Sequence, residues 1–100
     1  MYTQNFDGLP SSGTNIPWAN GTTLSGWYLF RQPSTGTALT DFNTGTGSSN
    51  SGKFYSFGAS GNSERALGGL ASGNDYFGNP AATNVAGWIS VAFTNNTGAT

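Results

Sequence analysis

The 100-residue chain contains no cysteine and no histidine, and few of its residues are charged. Without these two side chains, Ser-His and Cys-His nucleophiles and ordinary zinc sites are excluded within this segment. Because the chain has no cysteine, disulfide bonds give no indication of whether the protein resides in an oxidising or a reducing compartment. The sequence therefore excludes the commonest hydrolytic and zinc-dependent chemistry.

The charged residues are too few and too balanced to bind a polyanion. Three basic residues stand against four acidic ones, which gives a net charge of −1. Nucleic-acid binding and attraction to anionic membranes both need clustered Lys and Arg. No apolar run approaches transmembrane length. We expect no nucleic-acid partner and no membrane insertion, and the sequence leaves the oligomeric state open.

The four carboxylates do not form a pair of the kind that glycoside hydrolysis needs. Asp7 and Asp75 stand in turn-like sequence, Asp41 lies at a strand end, and Glu64 lies beside an arginine. A structural role accounts for each of them. We therefore predict no catalytic residue in this chain.

The neutral polar composition predicts an exported protein. Abundant Gly, Ser, Thr and Asn with little charge is typical of bacterial surface proteins. Met1 is followed by neither a basic nor an apolar leader segment, so no signal peptide is visible. We expect a secreted or cell-surface location, with any export signal upstream.

The aromatic content predicts a folded chain, because disordered chains are usually poor in aromatic residues. Aromatic residues make up 14% of the sequence and can supply one thin core. Short strand-like segments separated by turn-rich loops predict an all-β fold, an antiparallel β-sandwich spanning residues 1–100 as a single domain or a fragment of one. The predicted strands are residues 2–6, 24–31, 36–42 (a hairpin with the preceding strand), 54–57, 63–70 and 88–93.

Two of these segments carry open questions. Residues 63–70 contain good helix formers but also Gly68 and Gly69, so a strand is preferred and a short helical turn is the alternative. Residues 95–98 predict a tight turn after the last strand, and a turn needs a returning strand. The sheet is therefore expected to continue beyond Thr100.

Few residues qualify as ligand contacts. Trp18, Tyr76 and Phe77 fall in predicted loops and are candidates for a carbohydrate platform, although covering the edges of a thin sandwich is the preferred explanation for them. Asp41 and Asn43 match the first two donors of a calcium loop, but Gly45 occupies the next ligand position and no acidic residue closes the loop. No cofactor is expected, with calcium as a weak candidate.

Arg65 is the charged residue that the pattern singles out. In a strand over residues 63–70 it shares a face with Leu67, so burying Leu67 draws Arg65 towards the core. A buried arginine needs a partner. Asp41, Asp7 or Asp75 could each provide a bidentate carboxylate. We expect a structural ion pair, and we name Asp41 as the predicted partner of Arg65.

Three stretches carry a family resemblance: NFDGLPSSGT, the run from Trp18 to Tyr28, and SFGASGNSERALGGLASG. Together they resemble the N-terminal region of secreted proteins of cyanobacteria and other bacteria. These proteins often carry PEP-CTERM sorting signals, lamin-tail domains or extracellular nuclease modules. The resemblance implies a β-sandwich of lectin-like jelly-roll type within an exported multidomain protein, and it carries over no catalytic residue.

These expectations lead to three functional hypotheses. The first is a non-catalytic extracellular β-sandwich module with an adhesion, structural or spacer role, whose partners are glycans or other surface proteins. The second is a carbohydrate-binding module that uses loop aromatics. The third is an accessory N-terminal domain of a secreted nuclease or phosphatase.

Overall fold

A computed structural model of the chain describes residues 1–31, 36–71 and 87–99, and this part forms two β-sheets without a helix. The sheets have the strand orders β1-β4-β5-β6 and β3-β2-β7. The predicted all-β sandwich is confirmed, whereas its jelly-roll topology stays a prediction. The strands are β1 (Ile16–Pro17), β2 (Trp27–Arg31), β3 (Thr37–Ala38), β4 (Asp41–Gly45), β5 (Lys53–Phe57), β6 (Ala66–Leu70) and β7 (Gly87–Val91).

The three-stranded sheet is centred on β2, the densest apolar run of the chain. β3 pairs with it through Phe30↔Ala38, which confirms the predicted hairpin. β7 pairs along its whole length on the other edge, with Leu29 opposite Ile89. Both pairings are antiparallel. The last strand therefore lies close to its predicted position.

The predicted strand over residues 36–42 is instead two strands in different sheets. β3 belongs to the three-stranded sheet and β4 to the four-stranded sheet, so the chain crosses between layers at residues 39–40. Leu39 is buried at this crossing, and its N–H donates to the carbonyl of Leu29 at 3.0 Å. A strand that changes sheets in this way closes one corner of a sandwich.

The β4–β5 pair is parallel, whereas the other described strand pairs are antiparallel as predicted. Asn43 lies opposite Tyr55, and Gly45 lies opposite Phe57. Residues 43–45, predicted as part of a polar loop, are thus strand. The return connection, residues 46–52, is shorter than the dozen or so residues usual between parallel strands. The Tyr55 hydroxyl stabilises this connection by donating a hydrogen bond to the carbonyl of Ser51 at 2.7 Å.

The β5–β6 hairpin forms where the sequence predicted it, and residues 63–70 are not helical. β6 starts at Ala66, and Ala66 pairs antiparallel with Phe57. A Cβ atom on Gly68 would lie 2.8 Å from the Phe57 ring. Gly68, one of the two glycines that argued against a helix, therefore leaves room for the Phe57 ring against β6.

The N-terminal segment is not a strand, so that prediction was wrong. The side-chain oxygens of Gln4 and Asn5 accept hydrogen bonds from the N–H groups of Phe6 (2.7 Å) and Asp7 (3.0 Å). Such local bonds compete with extended pairing. The φ angle of 64° at Phe6 completes the turn. The strand that forms instead is β1, within the predicted loop, and it pairs with β4.

The core lies between the two sheets. Leu29 comes from the three-stranded sheet and Phe42 and Phe54 from the four-stranded one, and none of the three is exposed to solvent. The buried apolar cluster is completed by Leu9, Trp18 and Leu39.

In the described part of the chain, no helix is long and apolar enough to span a bilayer.

Candidate functional site: the Arg65 cleft

Arg65 lies at the end of the turn that joins β5 to β6, and only 5% of its surface is exposed. The turn is closed by backbone bonding: the N–H of Asn62 donates to the carbonyl of Ala59 at 3.0 Å. The Asn62 side chain then accepts from the N–H of Glu64 at 2.9 Å. These Asx-type bonds set the direction in which the chain enters β6 and place Arg65 beneath the turn.

The Arg65 guanidinium donates hydrogen bonds to the hairpin around it. Nη2 donates to the carbonyl of Ser56 at 2.6 Å, and Nε donates to the Ser56 hydroxyl at 3.0 Å. Nη1 donates to the carbonyls of Ala59 (2.9 Å) and Asn62 (3.2 Å). A planar fork of donors can satisfy several carbonyls at once, which a lysine cannot do.

Ser56 extends this network to the N-terminal segment. It is fully buried, and its hydroxyl donates to the carbonyl of Pro10 at 2.7 Å while accepting from Arg65. Asp7 adds a second link, because its carboxylate accepts from the backbone N–H of Arg65 at 3.2 Å. The hairpin and the segment before β1 are thus held together by polar contacts.

The prediction that Arg65 is drawn into the interior is confirmed, but the predicted pairing with Asp41 is wrong. The Asp41 carboxylate lies 2.9 Å from Lys53 Nζ instead. Asp7 contacts the backbone of Arg65 rather than its guanidinium, and Asp75 lies outside the described residues. Carbonyl oxygens of the turn are the acceptors, and sequence spacing does not reveal them.

Asp41 and Asn43 do not form the start of a calcium loop, because both lie within β4. Lys53 Nζ lies 2.9 Å from Asp41 and donates to Asn15 Oδ1 at 3.1 Å. Asn43 Oδ1 accepts from the N–H of Asn15 at 2.7 Å. An ammonium group therefore already contacts the carboxylate that a cation would need. Across the residues that the structure describes, no three His, Cys, Asp or Glu side chains cluster as a metal site.

Trp18 lies outside the strands, as predicted, but it is buried and is not an exposed sugar platform. Only 4% of its surface is exposed, and its ring meets Phe42 edge to face at 5.3 Å. Its indole N–H donates to Asn20 Oδ1 at 2.8 Å. Trp18 is a core residue. Tyr76 and Phe77, the other two predicted platform residues, lie outside the described residues.

One group of aromatic residues outside the core cluster lies on the three-stranded sheet. Side chains alternate along a strand, so Tyr28 and Phe30 project opposite to the buried Leu29. Trp88 is the cross-strand partner of Phe30, and their rings stack at 4.7 Å with 29° between planes. All three are half-buried. We call Tyr28, Phe30 and Trp88 the outer aromatic face. The alternation of side chains along β2 is sufficient to place Tyr28 and Phe30 on this face of the sheet. No sequence pattern indicates that Trp88 lies beside them.

A cleft of about 380 Å³ opens beside the Arg65 network. This size lies within the usual range of ligand sites. We call it the Arg65 cleft. Its lining combines hydroxyl side chains from three polar segments with the buried arginine, and includes Ser11, Ser12, Thr44, Ser48, Ser60 and Arg65.

Backbone contacts bring the three polar segments of the cleft together. The carbonyl of Gly13 accepts from both the N–H (3.1 Å) and the hydroxyl (2.9 Å) of Thr44. The N–H of Gly58 donates to the carbonyl of Gly45 at 3.0 Å, and the N–H of Gly61 donates to the carbonyl of Ser11 at 3.3 Å. The sequence did not predict this cleft, because each of the three segments by itself has the composition of a solvated loop.

Among the described residues that line the Arg65 cleft, none is acidic. A second cleft of about 340 Å³ on the same turn is lined by Glu64 as well as Arg65. The two clefts share the arginine, but among the described lining residues an acidic side chain is found in the second cleft alone. Any preference for an anion therefore belongs to the Arg65 cleft.

The fold and its polar network define an all-β sandwich with a cleft that is lined by hydroxyl groups and by a buried arginine. Comparisons of the chain with protein-family models, with curated proteins and with solved structures give no match.

Proposed function

We propose that this chain is a non-catalytic β-sandwich module of an exported bacterial protein, with an adhesion, structural or spacer role. The observation that carries the proposal is the Arg65 network. The most buried charge of the described chain bonds to turn carbonyls and so holds the fold together. Lys53 with Asp41 and Asp7 with the Arg65 backbone are also engaged within the fold.

The structural role is tested by unfolding the purified chain. A small domain with one core should unfold cooperatively, with coincident transitions by circular dichroism and tryptophan fluorescence. We expect a single reversible transition without any added ligand or metal. Non-coincident transitions, or no transition, would show that the chain is not an autonomous module.

The non-catalytic role is tested with model phosphodiester, phosphomonoester and glycoside substrates. We expect no turnover above a buffer control. Turnover that co-purifies with the chain and falls in Glu64→Gln or Asp7→Asn, with the fold intact by circular dichroism, would replace the proposal with an enzymatic one. Turnover unchanged in both variants would identify a contaminant.

A second candidate function, carbohydrate binding, is supported by the outer aromatic face. Aromatic rings offer a large apolar surface of low conformational entropy, and Tyr28 adds a hydroxyl for a polar contact. The stacked pair Phe30–Trp88 is the observation that favours this function, in place of the buried Trp18.

The carbohydrate hypothesis is tested with a glycan array followed by calorimetry on any hit. We expect Trp88→Ala to abolish binding, while Phe93→Ala, which removes a highly exposed ring elsewhere, should leave the affinity unchanged. Binding lost equally in both variants, or no glycan bound at all, would remove this function.

A further inference from the structure

We propose that the Arg65 cleft binds an oxyanion, the shared chemistry of a carboxylate, a sulfate and a phosphate group. This site goes beyond the module role, because a structural module does not require it. The ligand would take hydrogen bonds from the serine and threonine hydroxyls of the cleft. It would balance the charge of the arginine at the cleft wall.

The first argument is that no described carboxylate compensates the charge of Arg65. A guanidinium carries five N–H donors, and four of them are matched to acceptors: one from Nε, two from Nη1 and one from Nη2. The remaining Nη2 donor has no acceptor among the described residues. None of the described carboxylates lies within ion-pair distance of this guanidinium. The ion pair in the described part of the chain joins Asp41 to Lys53 instead. Removing a cation from water without a counter-charge is costly.

The second argument is the chemistry of the cleft lining. Ser12, Ser48 and Ser60 are exposed hydroxyls that can each donate to an oxyanion, and none of the described lining side chains carries a negative charge that would repel one. A charge-assisted bond to a buried guanidinium is about twice as strong as a neutral one. Hydroxyl donors with one arginine therefore favour a small anion over a neutral or cationic ligand.

The third argument is the contrast with the other basic residue of this sheet. Lys53 contacts Asp41 and Asn15, so its charge is already neutralised within the fold. It also lies outside the cleft lining. Lys53→Met is consequently a matched control, because it removes one positive charge from the same sheet without changing the cleft.

The test is a titration of ¹⁵N-labelled full chain with sodium phosphate, sodium sulfate and sodium acetate, each up to 20 mM at an ionic strength held constant with NaCl. Two-dimensional NMR follows the amides of Gly13, Gly45 and Gly58, which line the cleft. We expect saturable shifts at these amides with at least one anion, and the anion that binds most tightly identifies the head group.

Three variants separate cleft binding from general effects of salt. Ser60→Trp fills the cleft from an exposed position, so it should weaken the affinity at least tenfold while the rest of the spectrum stays native. Lys53→Met should change the affinity by less than twofold. Arg65→Lys keeps the charge but loses the donor fork, and should weaken binding if it folds.

The proposal is overturned if none of the three anions gives a saturable shift at the cleft amides. It is also overturned if Ser60→Trp binds as well as the wild type, or if Lys53→Met loses affinity as strongly as Ser60→Trp. These outcomes do not depend on whether Arg65→Lys folds. The module role tested by unfolding stands or falls separately.

Discussion

The β5–β6 hairpin and the region around β7 each form an edge of their own sheet, and they are built differently. In the hairpin, Ser56 and Arg65 are buried and hydrogen-bonded, although both are polar. At β7, Ile89 is 38% exposed and Phe93 just beyond it is 67% exposed, although both are apolar. Burial in this chain therefore does not follow hydrophobicity residue by residue.

The difference shows where such a polar chain obtains its rigidity. With few large aliphatic residues, the hairpin uses carbonyl groups and one guanidinium to cross-link the turn, the strand and the N-terminal segment. β7 makes backbone bonds to β2, but the side chains of Ile89 and Phe93 remain accessible to a partner. We expect stability to be concentrated in the hairpin, and variants can test this directly.

The largest effect is expected for Arg65→Met, which keeps much of the side-chain volume but removes every donor. The carbonyl of Ser56 would then be buried without its partner, and the partly buried carbonyls of Ala59 and Asn62 would lose theirs. An unsatisfied buried group costs about 1–3 kcal/mol, so a loss of about 3 kcal/mol or more is expected in urea unfolding.

Arg65→Lys should fall between Arg65→Met and the wild type, because an ammonium can reach fewer of these acceptors. An Arg65→Met protein within about 1 kcal/mol of the wild type would show that the network is not the source of the hairpin's stability.

A smaller effect is expected for Gly58→Ala, which tests how closely the turn fits around the arginine. A Cβ atom at this position would lie 2.5 Å from both Arg65 Nη1 and the carbonyl oxygen of Glu64. Overpacking of this kind costs about 1–3 kcal/mol. Thermal unfolding should show the loss, whereas Gly8→Ala, which has no neighbour within 4 Å, should be close to neutral. Equal effects in the two variants would argue against a tight fit.

Lys53→Met should matter less, although it removes the ion pair with Asp41. The two side chains are 19% and 40% exposed, and solvent-accessible pairs contribute about 0–1 kcal/mol. The difference from the wild type should shrink further in 1 M NaCl, where the Debye length is about 3 Å. A loss as large as that of Gly58→Ala would mean that Lys53 has a structural role comparable to that of Arg65.

Phe93→Ser should have the smallest effect on stability. The ring is mostly exposed, and its described aromatic contact is an edge-to-face approach of 4.9 Å to Tyr2. A change below about 0.5 kcal/mol is expected by urea unfolding. A large loss would show that the β7 region is as tightly built as the hairpin, and the contrast drawn above would fail.

Local sequence pattern was sufficient for features that depend on neighbouring residues. The alternation around Leu29 placed it on one face of β2 with Tyr28 and Phe30 on the other. The glycines of residues 63–70 favoured a strand over a helix, and sharing a face with Leu67 indicated that Arg65 is drawn inward. Each of these inferences needs only side-chain periodicity or backbone propensity.

Features that depend on distant pairing were not predictable. The change of sheet at Leu39 and the parallel pairing of β4 with β5 are set by which strands meet in space. The acceptors of Arg65 are main-chain carbonyls, which every residue carries, so no sequence signal marks them. The Arg65 cleft was missed for the same reason, because its three polar segments converge only in the folded chain.

The burial of Arg65 also bears on how the chain resists proteolysis. Trypsin-like proteases cleave after Lys and Arg, and the sequence offers them only Arg31, Lys53 and Arg65. The side chain of Arg65 is inaccessible beneath its turn. Cleavage after Arg65 must await local or global opening, so its rate reports the population of opened molecules. The residue that fastens the hairpin is thus also one that a protease cannot reach until the hairpin opens.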